Sequence, residues 1–369
     1  MNIKSILFYA IILLTTFNSS AQNDSSKVKF TDNLFISSQY SKGMLLVHRE
    51  SLSSLIEDYT TSILLEIGKS TYGKKSWHQL YRYPSLGVGY FYSTLGNDDI
   101  FGKINALYGF IDAPYFQQGS FNFDFTFGFG LAYLNKKYNL KDNIYNIAIG
   151  SHINYFVHFS FDFKANLLDR KLYIKTGLGL NHTSNGKIQT PNLGLNLADW
   201  HLSAGYYFGR QNSRIIQAFP IRNKHTFMFI AAGGVKEFTE PNHGKYFAGN
   251  STFEYLYTVM RKSSWGAGAD YFYDGVVNQR LIQSEDPNPF LHAGRFGIHA
   301  SYTINYGKIG FIVQLGSYIA PYYKNDGYLY HRIGFRAKLS KHLLANVTMK
   351  THWARADIVE FGLGYYFTK

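Results

Sequence analysis

Between residues 121 and 134 the chain reads FNFDFTFGFGLAYL, and its odd and even positions sort by chemistry. Phe121, Phe123, Phe125, Phe127, Phe129, Leu131 and Tyr133 share one face of an extended strand, while Asn122, Asp124, Thr126, Gly128, Gly130 and Ala132 share the other. A soluble sandwich could bury such a face against a second sheet. This many large apolar groups in one strand suit better an outer wall crossing ~25 Å of hydrocarbon, with small and polar residues inside.

Segments of this kind recur about sixteen times, from one near 35–48 to one near 356–367. Short polar turns such as Leu168-Asp169-Arg170 and Ser340-Lys341 alternate with longer connections such as 276–292, as in barrels with short turns at one rim and long loops at the other. AGYYFG (204–209) ends the eighth segment and LGYYFT (363–368) the sixteenth, and before each comes a strand with a histidine near its end, His182 or His352. The echo predicts duplication of an eight-strand unit. The expected fold is all-β, a transmembrane antiparallel β-barrel of about sixteen strands in one barrel, with two tandem eight-stranded barrels as the alternative. The single barrel is preferred because it leaves no sheet edge exposed and needs one insertion event. On this division residues 1–21 are a signal peptide, 22–209 the first unit and 210–369 a second unit completing the barrel, with 210–224 an outer loop or a linker.

The amino terminus supports export. Lys4, an apolar run from Ile6 to Leu14 and Ser19-Ser20-Ala21 have the layout of a cleaved signal, so the mature chain is expected to begin at Gln22. No later apolar run is long enough for a transmembrane helix. Tyr and Phe number 31 each while mean hydropathy is only −0.18, a pairing that favours membrane strands over membrane helices. With no cysteine there is neither a disulfide nor a lipid anchor on an N-terminal Cys. The formal charge of +13 calls for an anionic partner, and for an exported barrel that partner is phosphorylated lipid.

Candidate chemistry lies in GLGLNHTSNG (177–186). By parity Leu172, Ile174, Thr176, Leu178, Leu180, His182 and Ser184 share the apolar face, so the last two look outward at the rim. The next strand puts Asn196 first on its own apolar face, and antiparallel pairing brings it beside His182 and Ser184. His182 as general base, Ser184 as nucleophile and backbone N–H groups of the Ser184-Asn185-Gly186 turn as oxyanion donors would make an esterase acting on a lipid already in the outer leaflet. No phosphate loop, dinucleotide fingerprint or HExxH motif is present, and no metal or cofactor is expected.

His182-Thr183-Ser184-Asn185-Gly186 followed by Pro191-Asn192-Leu193-Gly194-Leu195-Asn196 resembles the active-site signature of the PagL-type lipid A 3-O-deacylases, over roughly residues 145–209. The resemblance implies an outer-membrane barrel of a Gram-negative bacterium that hydrolyses an ester-linked acyl chain of lipid A in lipopolysaccharide. It implies His182 as base, Ser184 as nucleophile, Asn185 and Gly186 as oxyanion donors and Asn192 in support. The family's pattern carries Glu where this chain has Asn196, so the histidine's orienter here is a neutral amide. The competing expectation is a porin or a lipid- or glycan-binding barrel with a degenerate site.

Other groups have plainer readings. His352 and Glu360 fall on the small or polar face and suggest a buried ion pair, and His292 and His299 read as satisfied barrel residues. Lys74-Lys75 and the pair Arg222 and Lys224 are loop charge or, more sharply, contacts for lipid A phosphates. Asn181-His182-Thr183 fits a glycosylation acceptor, set aside because the barrel is of a bacterial kind.

Overall fold

The computed structural model describes residues 29–46, 50–217, 224–238, 244–259, 262–353 and 355–369. The proposed signal 1–21 and Arg222 lie outside them. Sixteen strands make up nearly all of the regular structure. The first eight are β1 (Leu34–Leu45), β2 (Thr60–Ser70), β3 (Ser85–Thr94), β4 (Lys103–Gln118), β5 (Phe121–Leu134), β6 (Ile153–Leu167), β7 (Leu172–Ser184) and β8 (Leu195–Phe208). The second eight are β9 (Lys224–Glu237), β10 (Lys245–Thr258), β11 (Ser263–Asp274), β12 (Gly294–Tyr306), β13 (Ile309–Ile319), β14 (Leu329–Lys338), β15 (Leu343–His352) and β16 (Arg355–Thr368).

The pairing corrects the expectation of one sixteen-stranded barrel. Strand β8 returns to β1, from Leu34 opposite Phe208 to Leu45 opposite Leu197, and closes a barrel of eight. Strand β16 returns to β9, from Phe361 opposite Gly233 to Thr368 opposite Thr226, and closes a second. Avoiding a free edge could not separate the two topologies, since either closure satisfies every edge. The inward face does separate them. An eight-stranded barrel is just wide enough for side chains to fill, and the inward positions carry bulk: Phe91, Phe156 and Tyr173 in the first barrel, Phe272, Tyr330 and Arg332 in the second, all buried. In a sixteen-stranded lumen the same rings would face water.

Both interiors also hold charge networks. In the first, Lys175 lies 2.7 Å from Asp112 and 3.8 Å from both Asp124 and Asp162. In the second, Arg332 meets Asp270 at 2.9 Å and Arg336 meets Glu254 at 2.6 Å. Glu360 points inward but pairs with Arg332 at 3.2 Å, while His352 shares a hydrogen bond of 2.9 Å with the Tyr318 hydroxyl. The expected pair of Glu360 with His352 is therefore not formed, because each meets a partner from another strand first.

Each barrel has a turn end and a loop end. The turn end of the first carries the connections 119–120 and 168–171 and that of the second 307–308, whereas β7 to β8 and β9 to β10 cross over at the loop ends. Tyr81, between β2 and β3 at the turn end, stacks on Tyr306 at 4.1 Å. Phe127 and Phe129 of β5 pack on Phe335 of β14. The barrels thus lie side by side with the same polarity, and their remaining outer walls expose apolar groups such as Leu178, Leu202, Phe296 and Leu315.

Candidate active site

Strand parity sets the faces of the site. Along β7 the odd residues Tyr173, Lys175, Asn181 and Thr183 are buried in the lumen, and the even residues Ile174, Leu178 and Leu180 are exposed on the outer wall. His182 and Ser184 continue the outer series at the loop end. Register supplies the neighbours: His182 stands opposite Asn196 of β8, and Ser184 opposite Tyr155 of β6. His182 and Asn196 are half-buried and Ser184 is nearly covered.

Two hydrogen bonds join the three side chains. His182 Nδ1 is 2.7 Å from Asn196 Oδ1, and His182 Nε2 is 3.0 Å from Ser184 Oγ. An amide oxygen only accepts, so this pairing puts the ring proton on Nδ1 and leaves Nε2 to accept from the Ser184 hydroxyl. That is the tautomer a general base needs. Asp199, three residues after Asn196, faces the lumen, where it accepts from Asn181 Nδ2 at 2.8 Å.

The connection 185–194 is organised by its own amides. The Asn185 backbone N–H donates to Asn192 Oδ1 at 2.9 Å, and Asn185 Nδ2 donates to Ser151 Oγ at 2.9 Å and to the Gln189 carbonyl at 2.8 Å. The Asn185 N–H, expected to face an oxyanion, is here engaged by Asn192, and the Asn185 side chain shapes the loop. Gly186 follows in a left-handed conformation, φ 62°, and its N–H forms no hydrogen bond among the described residues. Gly194, φ 77°, closes the loop so tightly that an added Cβ would lie 2.9 Å from His182 Cε1.

The second barrel holds this loop from outside. Glu237, the last residue of β9, accepts from both the backbone N–H and the hydroxyl of Thr190, the latter at 2.9 Å, and its own N–H donates to the Lys187 carbonyl at 3.0 Å. Val359 of β16 covers Gly186, where an added Cβ would meet its Cγ2 at 2.4 Å. Burial, with Lys236 close by, pulls the Lys187 ammonium below its ordinary pKa. Sequence patterning did not reveal Ser151, Glu237 or Val359, and it gave Gly194 a place in the motif but no role. A signal existed for one of them: Glu237 ends the outward series Phe227, Phe229, Val235, and an acid on an apolar wall needs a partner.

The lysines suggested for phosphate recognition are placed elsewhere. Lys74 and Lys75 sit between β2 and β3, and Lys224 begins β9, all at the turn end. They are a strand's length, about 40 Å, from His182. They cannot reach the head group of a lipid held at that pair.

Comparison with known proteins extends the picture. The family model described as lipid A 3-O-deacylase (PagL) matches residues 62–206, and the one described as acyloxyacyl hydrolase, C-terminal domain, matches residues 225–369. No curated protein matches the chain. Among solved structures, a triple mutant of the Rhodopseudomonas blastica porin is similar at 7% identity over 90% of this chain and 99% of its own, with a TM-score of 0.18. The siderophore receptor PirA from Pseudomonas aeruginosa is similar at 9% identity over 92% of this chain and 81% of its own, with a TM-score of 0.22. Likenesses so slight carry no argument. The two family models, by contrast, meet nearly end to end and take in every strand from β2 to β16, and the chain belongs to the PagL-type lipid A deacylase family.

Proposed function

We propose that this chain is an outer-membrane serine esterase that removes the acyl chain at position 3 of lipid A, with Ser184 as nucleophile, His182 as general base and Asn196 as the group orienting the histidine. The observation that carries this is the relay Asn196 Oδ1, His182, Ser184 Oγ, at 2.7 and 3.0 Å, on the outer wall above the exposed Leu178 and Leu180. A lipid lying in the leaflet would bring its ester to the hydroxyl with no pocket through the barrel.

Ser184 Oγ attacks the ester carbonyl as its proton passes to His182 Nε2. The negative charge on the carbonyl oxygen is met by the Gly186 N–H and by the Asn192 amide, whose Oδ1 is fixed by Asn185 and whose Nδ2 is left to donate. Collapse expels the sugar hydroxyl, which takes the proton back from His182, and leaves an acyl-serine. Water, deprotonated by His182, then releases a fatty acid and restores Ser184. Asn196 holds the ring but carries no charge to stabilise the imidazolium, a weaker arrangement than a carboxylate would give.

The rival reading as a porin requires an open lumen, and the packed interiors of both barrels speak against it. The test is release of free fatty acid from purified lipopolysaccharide by the detergent-solubilised protein. Release by the parent chain and its loss in Ser184→Ala are expected. Undiminished release by Ser184→Ala would end the proposal.

A further inference from the structure

The turn ends of the two barrels are built alike and furnished differently. Each holds a cavity, of ≈590 Å³ in the first barrel and ≈560 Å³ in the second. Both volumes lie within the ~300–1,000 Å³ typical of small-ligand sites. The first cavity is balanced in charge: Asp112, Asp124 and Asp169 face it together with Lys164, Arg170 and Arg214. The second is lined by Lys224, Lys308, Lys338 and Arg336 and, among the described residues, by no carboxylate.

Arg336 is answered from behind by Glu254. The three lysines form no ion pair among the described residues, and Lys338 lies instead 5.2 Å from the Tyr366 ring. Behind them the wall turns apolar, with Met228, Leu256, Leu344 and Tyr366 belonging to one buried cluster. Thr303, on the same wall and 5% exposed, has a hydroxyl without a hydrogen-bond partner. The roof comes from the first barrel: the helix Ser76–Leu80 lays Trp77 so close to Gly307 that an added Cβ would lie 2.8 Å from its ring.

Apolar groups lining an unfilled cavity lack packing partners on its open side, and neighbouring ammonium groups without counter-charge repel. One kind of ligand relieves both. We infer that this cavity binds an anionic amphiphile, a hydrocarbon chain ending in a carboxylate or phosphate, with the head among Lys224, Lys308 and Lys338 and the chain against Met228, Leu256 and Leu344. A long-chain fatty acid and a monoacyl phospholipid share that chemistry. The site is independent of Ser184, which lies at the opposite end of the other barrel.

Native mass spectrometry of the whole protein released from an uncharged detergent tests the inference, with palmitate, lysophosphatidate and neutral monopalmitin offered at equal concentration. The parent protein should retain one palmitate or one lysophosphatidate per chain, at least about ten-fold over monopalmitin, and the better retained of the two names the source of the head group. Joining Lys308→Glu to Lys338→Glu should cut retention at least about ten-fold, whereas Arg170→Glu at the first barrel's mouth should leave it unchanged. Leu256→Trp, which fills the apolar part without touching a charge, should also abolish retention and covers the case in which the double variant does not fold. Monopalmitin held as well as the anions, or unchanged retention in either folded cavity variant, overturns the inference.

Discussion

In the first barrel the strand before the closing one ends Asn181-His182-Thr183-Ser184, and in the second it ends Met349-Lys350-Thr351-His352. Both histidines lie at the loop end, one strand before closure. His182 belongs to the outward series with Leu178 and Leu180 and meets Asn196, whereas His352 belongs to the series of Thr348 and Lys350 and meets Tyr318. One residue of parity therefore decides whether a strand-end histidine stands on the outer wall or is absorbed into the lumen. The second barrel contributes to the site in another way, through Glu237 at the end of its outer wall. The pair breaks the likeness of the two eight-stranded barrels on one side, and the clamp formed by Glu237 breaks it on the other.

The sharpest way to separate the two histidines is to remove each. His182→Ala should lower fatty-acid release by about 10⁴-fold, as losing a triad member does elsewhere, while His352→Ala should leave turnover within about two-fold. Equal losses in the two variants would mean that the outward face is not what matters.

The interiors are the feature the barrels share, and there a single change should be costly. Lys175→Met would leave Asp112, Asp124 and Asp162 without their common cation. A loss of about 3–5 kcal/mol in urea unfolding is expected. Unaltered stability would show that Lys164 beside Asp124 and His201 beside Asp162 suffice to hold the cluster.

The clamp is tested by Glu237→Ala, which deprives the Thr190 N–H and hydroxyl of their acceptor. A fall of about 10- to 100-fold in kcat is expected, with both barrels still folded, since small misplacements of a catalytic loop are expensive. Glu237→Gln keeps an accepting oxygen and should stay within about three-fold of the parent. If Glu237→Ala turns over normally, the second barrel does not position the site. A smaller effect, of opposite sign, is expected for Asn196→Glu: a carboxylate opposite His182 Nδ1 should raise kcat by about ten-fold by stabilising the imidazolium. A fall would show that the amide has a role of its own.

Much of this contrast was legible in the chain. Side-chain period is a local property, so strand number, the outward placement of His182 and Ser184, and the meeting with Asn196 followed from parity and antiparallel register. Closure was not legible, because a strand such as β8 carries the same alternation whether it pairs with β1 or β9. The decisive quantity was the summed bulk of inward groups such as Phe156 and Tyr173, which only a narrow barrel accommodates. The hydrogen bond of the Asn185 N–H was not legible for a different reason. It could be assigned only once Asn192, seven residues on, was known to fold back over that N–H.

The smallest predicted effect concerns a residue with no side chain. Gly194 has a counterpart in neither the clamp nor the relay, yet it sits where the loop returns to β8 against the His182 ring. Gly194→Ala adds a methyl 2.9 Å from His182 Cε1 at a φ of 77°. The backbone strain should lower stability by about 1 kcal/mol. The ring, held between Asn196 and Ser184, has to yield by a few tenths of an ångström, which lengthens one of its two hydrogen bonds. A drop of about three- to ten-fold in kcat with KM unchanged follows if that alignment limits proton transfer. A rise in KM at constant kcat would instead mean that the methyl obstructs the lipid, and that Gly194 serves access to the outer wall and not the relay.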